Sequence, residues 1–291
     1  MKAKYLNPFT DFGFKKIFGE EASKPLLIDF LNALLSKTDK IIDLTFKNNE
    51  QLGQTDLDRK AIAAANRYDI YCENESGEKF IVELQKAKQN YFKERTIYYS
   101  TFPIREQAEK GDWNYQLKAV YCIGILDFTF DDYGNEPERN EVVHTIKLKN
   151  QHGNTFYNNL TFIYLEMPNF KLSENQLKNR LDQWLFFIRN LEDFQFIPAI
   201  ISDEIFNQAF EKAELAKFGQ DDLNSYEMNL KIYRDYKNTV DTAFDEGKIE
   251  GKIEGKIEGK IEMAKFMKLE NESIEKIVKY TGLTKQEIEN L

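Results

Sequence analysis

Residues 67–85 of the chain read RYDIYCENESGEKFIVELQ, and this stretch decides the fold that the sequence predicts. The runs 67–73 and 79–85 are short and rich in β-branched and aromatic residues, which favour strands. The linker between them, NESGE, contains Asn, Ser and Gly, which favour turns. The pattern therefore predicts a β-hairpin.

The predicted hairpin carries an acidic side chain in each arm, although Asp and Glu are depleted in strands. If the turn pairs Glu73 with Lys79, Asp69 falls directly opposite Glu83, and Gln85 shares the face of Glu83. Directly opposed residues have Cβ atoms about 4.5–5.5 Å apart, close enough for two carboxylates to bind one ion. A Mg²⁺ or Mn²⁺ ion would remove their repulsion. The alternative is a solvated edge on which both acids pair with basic residues of the hairpin.

The rest of the chain alternates helical and strand-like patterns. Residues 8–36 are predicted to be helical, with Thr10 or Asp11 as the cap of the first helix. Apolar runs predict further strands at 41–46, 118–128, 142–148 and 160–166. Apolar positions at helical spacing predict helices at 24–35, 90–110, 174–190, 202–218 and 223–244. We expect a kink at Pro103, because proline removes a helical hydrogen bond.

From Gly247 the sequence repeats Gly-Lys-Ile-Glu four times, and a tail, 263–291, follows. The four-residue period is close to the 3.6 residues of a helical turn, so the isoleucines form one drifting stripe. Each interior Gly costs about 1 kcal/mol relative to Ala, which makes an isolated helix weak. We therefore favour packing of the repeat on a second chain. The alternative is a solvated linker that arose as a tandem repeat in the coding DNA.

The net charge of −9 argues against a nucleic-acid partner, but the charge is unevenly distributed. Residues 85–105 contain five basic side chains and one acid, Glu94. The five are Lys86, Lys88, Lys93, Arg95 and Arg105. This segment is either a surface that binds phosphates or a solvated helix face.

The sequence lacks the motifs of a phosphate-binding ATPase and of a zinc protease. The sequence has no GxxxxGK[ST] phosphate-binding loop, and its two histidines are not spaced as HExxH. Cys72 and Cys122 stand alone in apolar runs, so we expect both to be reduced core residues. The chain shows neither the apolar stretch of a signal peptide nor a run of 18 apolar residues. We expect a cytoplasmic protein without a membrane span.

Several motifs in order resemble the PD-(D/E)XK nuclease family transposases, which are related to the recombination-promoting nucleases. They are D-x(13)-E-x-Q, R-x-x-Y-Y and G-x-x-x-Y, formed here by Asp69, Glu83, Gln85, Arg95, Tyr98, Tyr99, Gly111 and Tyr115. Residues 7–19, NPFTDFGFKKIFG, also resemble the opening D-x-x-F-K-x-x-F of that family. The resemblance covers about residues 5–127.

The resemblance implies a restriction-endonuclease-like α/β core, a mixed sheet flanked by helices, followed by an all-helical C-terminal extension. The implied parts are a nuclease core at 1–170, a helical region at 171–245, and the repeat helix and tail at 246–291. The implied activity is Mg²⁺- or Mn²⁺-dependent DNA endonuclease activity in transposition, recombination or defence. The alternative is a protein that keeps this fold for binding without cleavage.

The resemblance also assigns roles to individual residues. Asp69 and Glu83 would be the metal ligands, and Gln85 would occupy a position where most of the wider superfamily has lysine. Lys88 or Arg95 would then supply the missing positive charge. Five residues are expected to contact nucleic acid: Lys86, Lys93, Arg95, Tyr98 and Tyr99. The wider superfamily has an additional acidic residue on a helix. Asp11 is the candidate here, but it is expected to cap its own helix rather than to join the site.

Overall fold

We describe a computed structural model of the protein for residues 3–35, 37, 40–47, 68–130 and 140–291. Within these ranges, the chain forms one mixed sheet in the order β1-β2-β3-β4-β6-β5. The strands are β1 Leu44–Phe46, β2 Ile70–Asn74, β3 Lys79–Gln85, β4 Val120–Leu126, β5 Val143–Lys149 and β6 Thr155–Glu166. The predicted loop at 47–66 lies almost entirely outside the described residues.

The strand order places β3 in the interior of the sheet, between β2 and β4. Strands β3, β4 and β6 are parallel, and the pairs β1–β2, β2–β3 and β5–β6 are antiparallel. Every residue of β3 is buried, because β3 is paired on both sides and covered on both faces. Cys72 of β2 and Cys122 of β4 are free thiols buried in the sheet, as predicted.

Within the described ranges, the helices follow the predicted order, although several of their bounds differ. They are α1 Asp11–Phe18, α2 Lys24–Leu35, α3 Phe92–Arg105, α4 Arg180–Asn190, α5 Glu204–Ala213, α6 Gln220–Leu269, α7 Ile274–Thr281 and α8 Lys285–Glu289. Helix α3 continues through Pro103, which stands near its C-terminal end. Helix α6 joins the predicted helix at 223–244 and the repeat into one element.

Two apolar clusters cover the two faces of the sheet. The larger cluster packs α1, α2, α4 and α5 against one face, with Trp184 fully buried at its centre. The smaller cluster packs α3 against the other face through Phe92, Tyr99 and Phe102. Helices α4 and α5, which lie in the predicted helical region at 171–245, contribute to this larger cluster.

The chain divides into two compact units, Met1–Arg234 and Asp235–Leu291. The second unit has its own small core, formed by Ala264, Ile277 and Ile288. Its helix α7 ends at Gly282, whose φ of +68° is the left-handed conformation that glycine adopts without steric cost.

Candidate active site

The hairpin has the register that the sequence predicts. Ile70 pairs with Val82, and Glu73 pairs with Lys79. The same register places Asp69, which immediately precedes β2, opposite Glu83. The two faces of β3 also agree with the prediction. Val82 and the residues two positions before and after it enter the larger core, whereas Glu83 lies on the opposite face, which α3 covers.

The Asp69 carboxylate is held by the hairpin itself. Its Oδ2 accepts a hydrogen bond of 2.8 Å from the backbone N–H of Leu84. Its Oδ1 lies 4.0 Å from the ammonium nitrogen of Lys15. Burial, reinforced by the negative charge of Asp11, raises the pKa of Asp69 to about 6. The carboxylate is therefore fixed in position, and burial disfavours its charged form.

The Glu83 carboxylate is buried with little electrostatic compensation. Only 7% of this residue is exposed, and Arg95 lies 3.8 Å from Oε2. Within the described ranges, the Glu83 carboxylate makes no hydrogen bond, although the backbone of Glu83 pairs within the sheet. Burial, reinforced by the charge of Asp69, raises the pKa of Glu83 to about 7, although Arg95 opposes the rise.

Gln85 and Arg95 form a hydrogen-bonded group at the carboxyl end of β3. Arg95 donates from Nη2 to Gln85 Oε1 at 2.5 Å and from Nη1 to Gln89 Oε1 at 2.7 Å. Gln85 donates in turn to the backbone oxygen of Ala87 at 2.9 Å. These bonds fix which way the Gln85 amide points, with its oxygen turned towards a cation.

Helix α1 brings charged residues to the hairpin. Asp11 is one of them, so the prediction that it caps its own helix is wrong. Thr10, not Asp11, is the N-cap, because its hydroxyl accepts a hydrogen bond from the backbone N–H of Gly13. Asp11 instead pairs with Lys86 at 2.9 Å, and its charge acts on Asp69. Lys86 reaches this partner because β3 ends one residue before it.

The basic and aromatic residues predicted for the site are not equally accessible. Lys88 is exposed in the segment between β3 and α3. The ammonium of Lys93 lies 4.6 Å from the centre of the Phe130 ring. Tyr98 is 51% exposed, whereas Tyr99 is 8% exposed and packs edge-on against Tyr68. The structure therefore gives Tyr99 a core position, where burial prevents its ring from contacting DNA directly.

The G-x-x-x-Y motif lies at the other end of the sheet. Gly111 and Tyr115 belong to the loop that enters β4, whose first residue aligns with the start of β3. Tyr115 is exposed, has a φ of +60° and packs its ring 4.7 Å from that of Trp113. This motif is therefore far along the sheet from Gln85, which ends β3.

The mixed sheet and its flanking helices are those of a PD-(D/E)XK restriction-endonuclease-like protein, as the resemblance implied. The family model of the PD-(D/E)XK nuclease family transposases matches residues 8–243, and the chain belongs to this family. The match extends well beyond residue 127. No curated protein and no solved structure matches the chain. Within the described ranges, no helix combines the length and apolar character needed to cross a membrane.

The two carboxylates fit a divalent ion of the kind that PD-(D/E)XK nucleases generally use. A third His, Cys, Asp or Glu ligand is not grouped with them in the described part of the chain. Mg²⁺ needs no such group, because it commonly binds through one or two carboxylates and keeps several waters. Glu83 is buried opposite Asp69, and Arg95 offsets its negative charge only in part, so a cation between the two carboxylates would account for this arrangement.

The raised pKa values predict how stability depends on pH in chelator. A carboxyl whose pKa is raised on folding stabilises the folded state most below its unfolded pKa, about 4. This stabilisation is lost as pH rises through the folded pKa. Melting temperatures of the wild type should therefore fall between pH 5 and pH 8. The melting temperature of the double variant Asp69→Asn, Glu83→Gln should fall less over the same pH range. An equal fall in both proteins would contradict the prediction.

Proposed function

We propose that the protein is a divalent-metal-dependent endonuclease that hydrolyses phosphodiester bonds of DNA. The observation that carries the proposal is the pair of opposed, buried carboxylates with raised pKa values at the end of a central strand. Family membership supports a nuclease- or transposase-like role. The biological setting would be transposition, recombination or defence, and the reduced, buried cysteines accord with a cytoplasmic protein.

In this proposal Asp69 and Glu83 hold Mg²⁺ or Mn²⁺. The ion would activate water and stabilise the charge that develops on the phosphate. Arg95 orients Gln85 and moderates the negative charge of Glu83, so these residues hold the site in shape. Lys88, named from the sequence as a possible source of positive charge, is exposed in the segment between β3 and α3, and the proposal assigns to it a contact with the incoming DNA backbone.

The experiment is a nicking assay on supercoiled plasmid with purified protein. Cleavage should require Mg²⁺ or Mn²⁺ and should stop in chelator. Cleavage that persists in chelator would overturn the metal-dependent mechanism. Binding of DNA without cleavage under any metal condition would favour the second candidate, a binding module, whose supporting observation is Gln85 in place of lysine.

Basic residues near the start of α3 are proposed to contact the DNA backbone. Counterion release makes log affinity fall with log salt by about 0.9 per neutralised phosphate. Replacing Lys88 and Lys93 with Gln should therefore flatten the slope by one to two units, whatever the DNA sequence. Arg95 is omitted from this test because its bonds to Gln85 and Gln89 also shape the site.

The matched control replaces two lysines of the edge strand β5, Lys147 and Lys149, with Gln. This control makes the same change of charge at a strand that is separated from β3 by β4 and β6. Its salt slope should stay that of the wild type. Equal flattening in both variants would mean that general charge, rather than the segment beside the site, sets the affinity.

We also propose that the protein forms a homo-oligomer through the repeat in α6. Ile249, Ile253 and Ile257 are all about half exposed or more, at one face of the helix. In each repeat the lysine comes one residue before the isoleucine and the glutamate one residue after it. Each residue turns 100° about the helix axis, so the lysines flank one side of the isoleucine stripe and the glutamates flank the other. A parallel pair would set the lysine flank of one helix against the glutamate flank of the other, and an antiparallel pair would set like charges together.

A further inference from the structure

We propose that Lys15 of α1 is a catalytic residue, supplying to the scissile phosphate the positive charge that Gln85 cannot supply. The inference deepens the proposed nuclease function and rests on it. It starts from one contact: the Lys15 ammonium lies 4.0 Å from Asp69 Oδ1, although 53 residues separate the two positions in the chain. Lys15 thus reaches the site from a different element than the strand lysine it would replace.

The position of α1 is set by its packing. Phe14, Ile17 and Phe18 are buried in the larger core, so this face of the helix cannot turn away. Gly13 has no room for a side chain, since a Cβ there would lie 2.3 Å from the backbone oxygen of Asn7. The side chain of Lys15 is 47% exposed and can still meet a substrate.

Two other cations near the carboxylates already have close partners. Lys86 forms an ion pair of 2.9 Å with Asp11, and Arg95 bonds to both Gln85 and Gln89. Lys15 differs, because 4.0 Å is an ion-pair distance but is too long for a hydrogen bond. Its N–H groups therefore remain available to a phosphate oxygen that approaches Asp69.

The chemistry assigned to Lys15 is electrostatic. In the hydrolysis, water oxygen bonds to phosphorus, the bond from phosphorus to the leaving oxygen breaks, and that oxygen takes a proton from solvent. The attacking water gives up a proton to solvent, so protons balance. Lys15 keeps its own proton and stabilises the negative charge that develops on the non-bridging oxygen, as a fixed point charge.

The first test is a set of replacements assayed for cleavage and for metal binding. Lys15→Met should lower kcat by roughly 10²-fold with a much smaller change in KM, as for removal of one group that stabilises a transition state. Lys15→Arg should retain more activity, since the charge is kept. Lys16→Met is the matched control, because Lys16 pairs with Glu20 and Asp222 instead.

The decisive test combines two changes. If Lys15 provides the charge that a strand lysine provides elsewhere, Gln85→Lys should restore cleavage to the Lys15→Met protein. The double-mutant cycle should therefore be strongly non-additive. An independent readout is Mn²⁺ binding by calorimetry without DNA: Lys15→Met should bind Mn²⁺ at least as tightly as the wild type, because a positive charge beside Asp69 has been removed.

Each outcome decides the assignment. Wild-type rates in Lys15→Met would overturn it, and so would loss of Mn²⁺ binding in that variant, which would give Lys15 a structural role. A loss of cleavage that Gln85→Lys does not restore would also reject it. A wild-type protein that binds Mn²⁺ and DNA without cutting would overturn the proposed function, and the inference with it.

Discussion

Asp69→Asn and Glu83→Gln are each expected to lower metal-dependent cleavage by roughly 10²- to 10³-fold, the several kcal/mol that metal catalysis contributes to a charged transition state. Each change removes a charged ligand while keeping the shape of the side chain. Calorimetry should show weaker Mn²⁺ binding in both variants. The nicking assay then measures the loss of rate directly.

These variants should remain folded. In chelator, their melting temperatures at pH 8 should equal or exceed that of the wild type, because one of two repelling buried carboxylates has gone. Glu73→Gln is the matched control on the same hairpin. Glu73 pairs with Lys79 and Lys47, so its loss should affect stability and leave cleavage near the wild-type rate.

The contrary results are specific. Full activity in Asp69→Asn would remove this carboxylate from the mechanism, whatever Glu83 does. Unchanged Mn²⁺ affinity in both variants would place the metal elsewhere. Lost cleavage with a strongly lowered melting temperature in both would mean that the acids support the hairpin rather than the reaction.

The second large effect is expected on assembly. Deleting residues 247–262, or replacing Ile249, Ile253 and Ile257 together with Gln, should reduce the mass measured by light scattering to that of a smaller species. The isoleucines are exposed in the single chain, and their burial against a second copy is the proposed driving force. A mass unchanged by both alterations would exclude the repeat as the interface.

Replacing the glycines distinguishes which stripe makes the contact. A Cβ at Gly251 or Gly255 meets nothing within 4 Å in the single chain. Changing both to Ala should therefore strengthen the helix, by about 1 kcal/mol per residue, and preserve the assembly. Dissociation of the double Ala variant would show instead that the glycine face carries the close approach.

A cysteine at the first isoleucine tests the parallel arrangement. In a parallel, in-register pair Ile249→Cys meets its own copy, and mild oxidation should form a disulfide between chains. An antiparallel pair would set that position opposite the far end of the repeat. The natural Cys72 and Cys122 are buried and should not interfere. Failure to cross-link in an intact oligomer would contradict the parallel arrangement.

The hairpin and its opposed acids were predictable because they depend on neighbouring residues. Side chains alternate along a strand, and the turn residues set the register, so Asp69 and Glu83 face one another whatever the rest of the chain does. Most helices follow from local apolar spacing in the same way. The family was also recognisable from short motifs in order along the chain.

Tertiary packing decided what the sequence left open. Tyr98 and Tyr99 are adjacent aromatic residues of one helix, and the sequence does not say which of them is buried. The packing of α3 on the sheet buries Tyr99 and leaves Tyr98 half exposed. Lys15 reaches Asp69 and Asp11 reaches Lys86 because the core holds α1 beside the hairpin. No local pattern specifies these contacts, since they join residues more than 50 positions apart through the burial of side chains elsewhere.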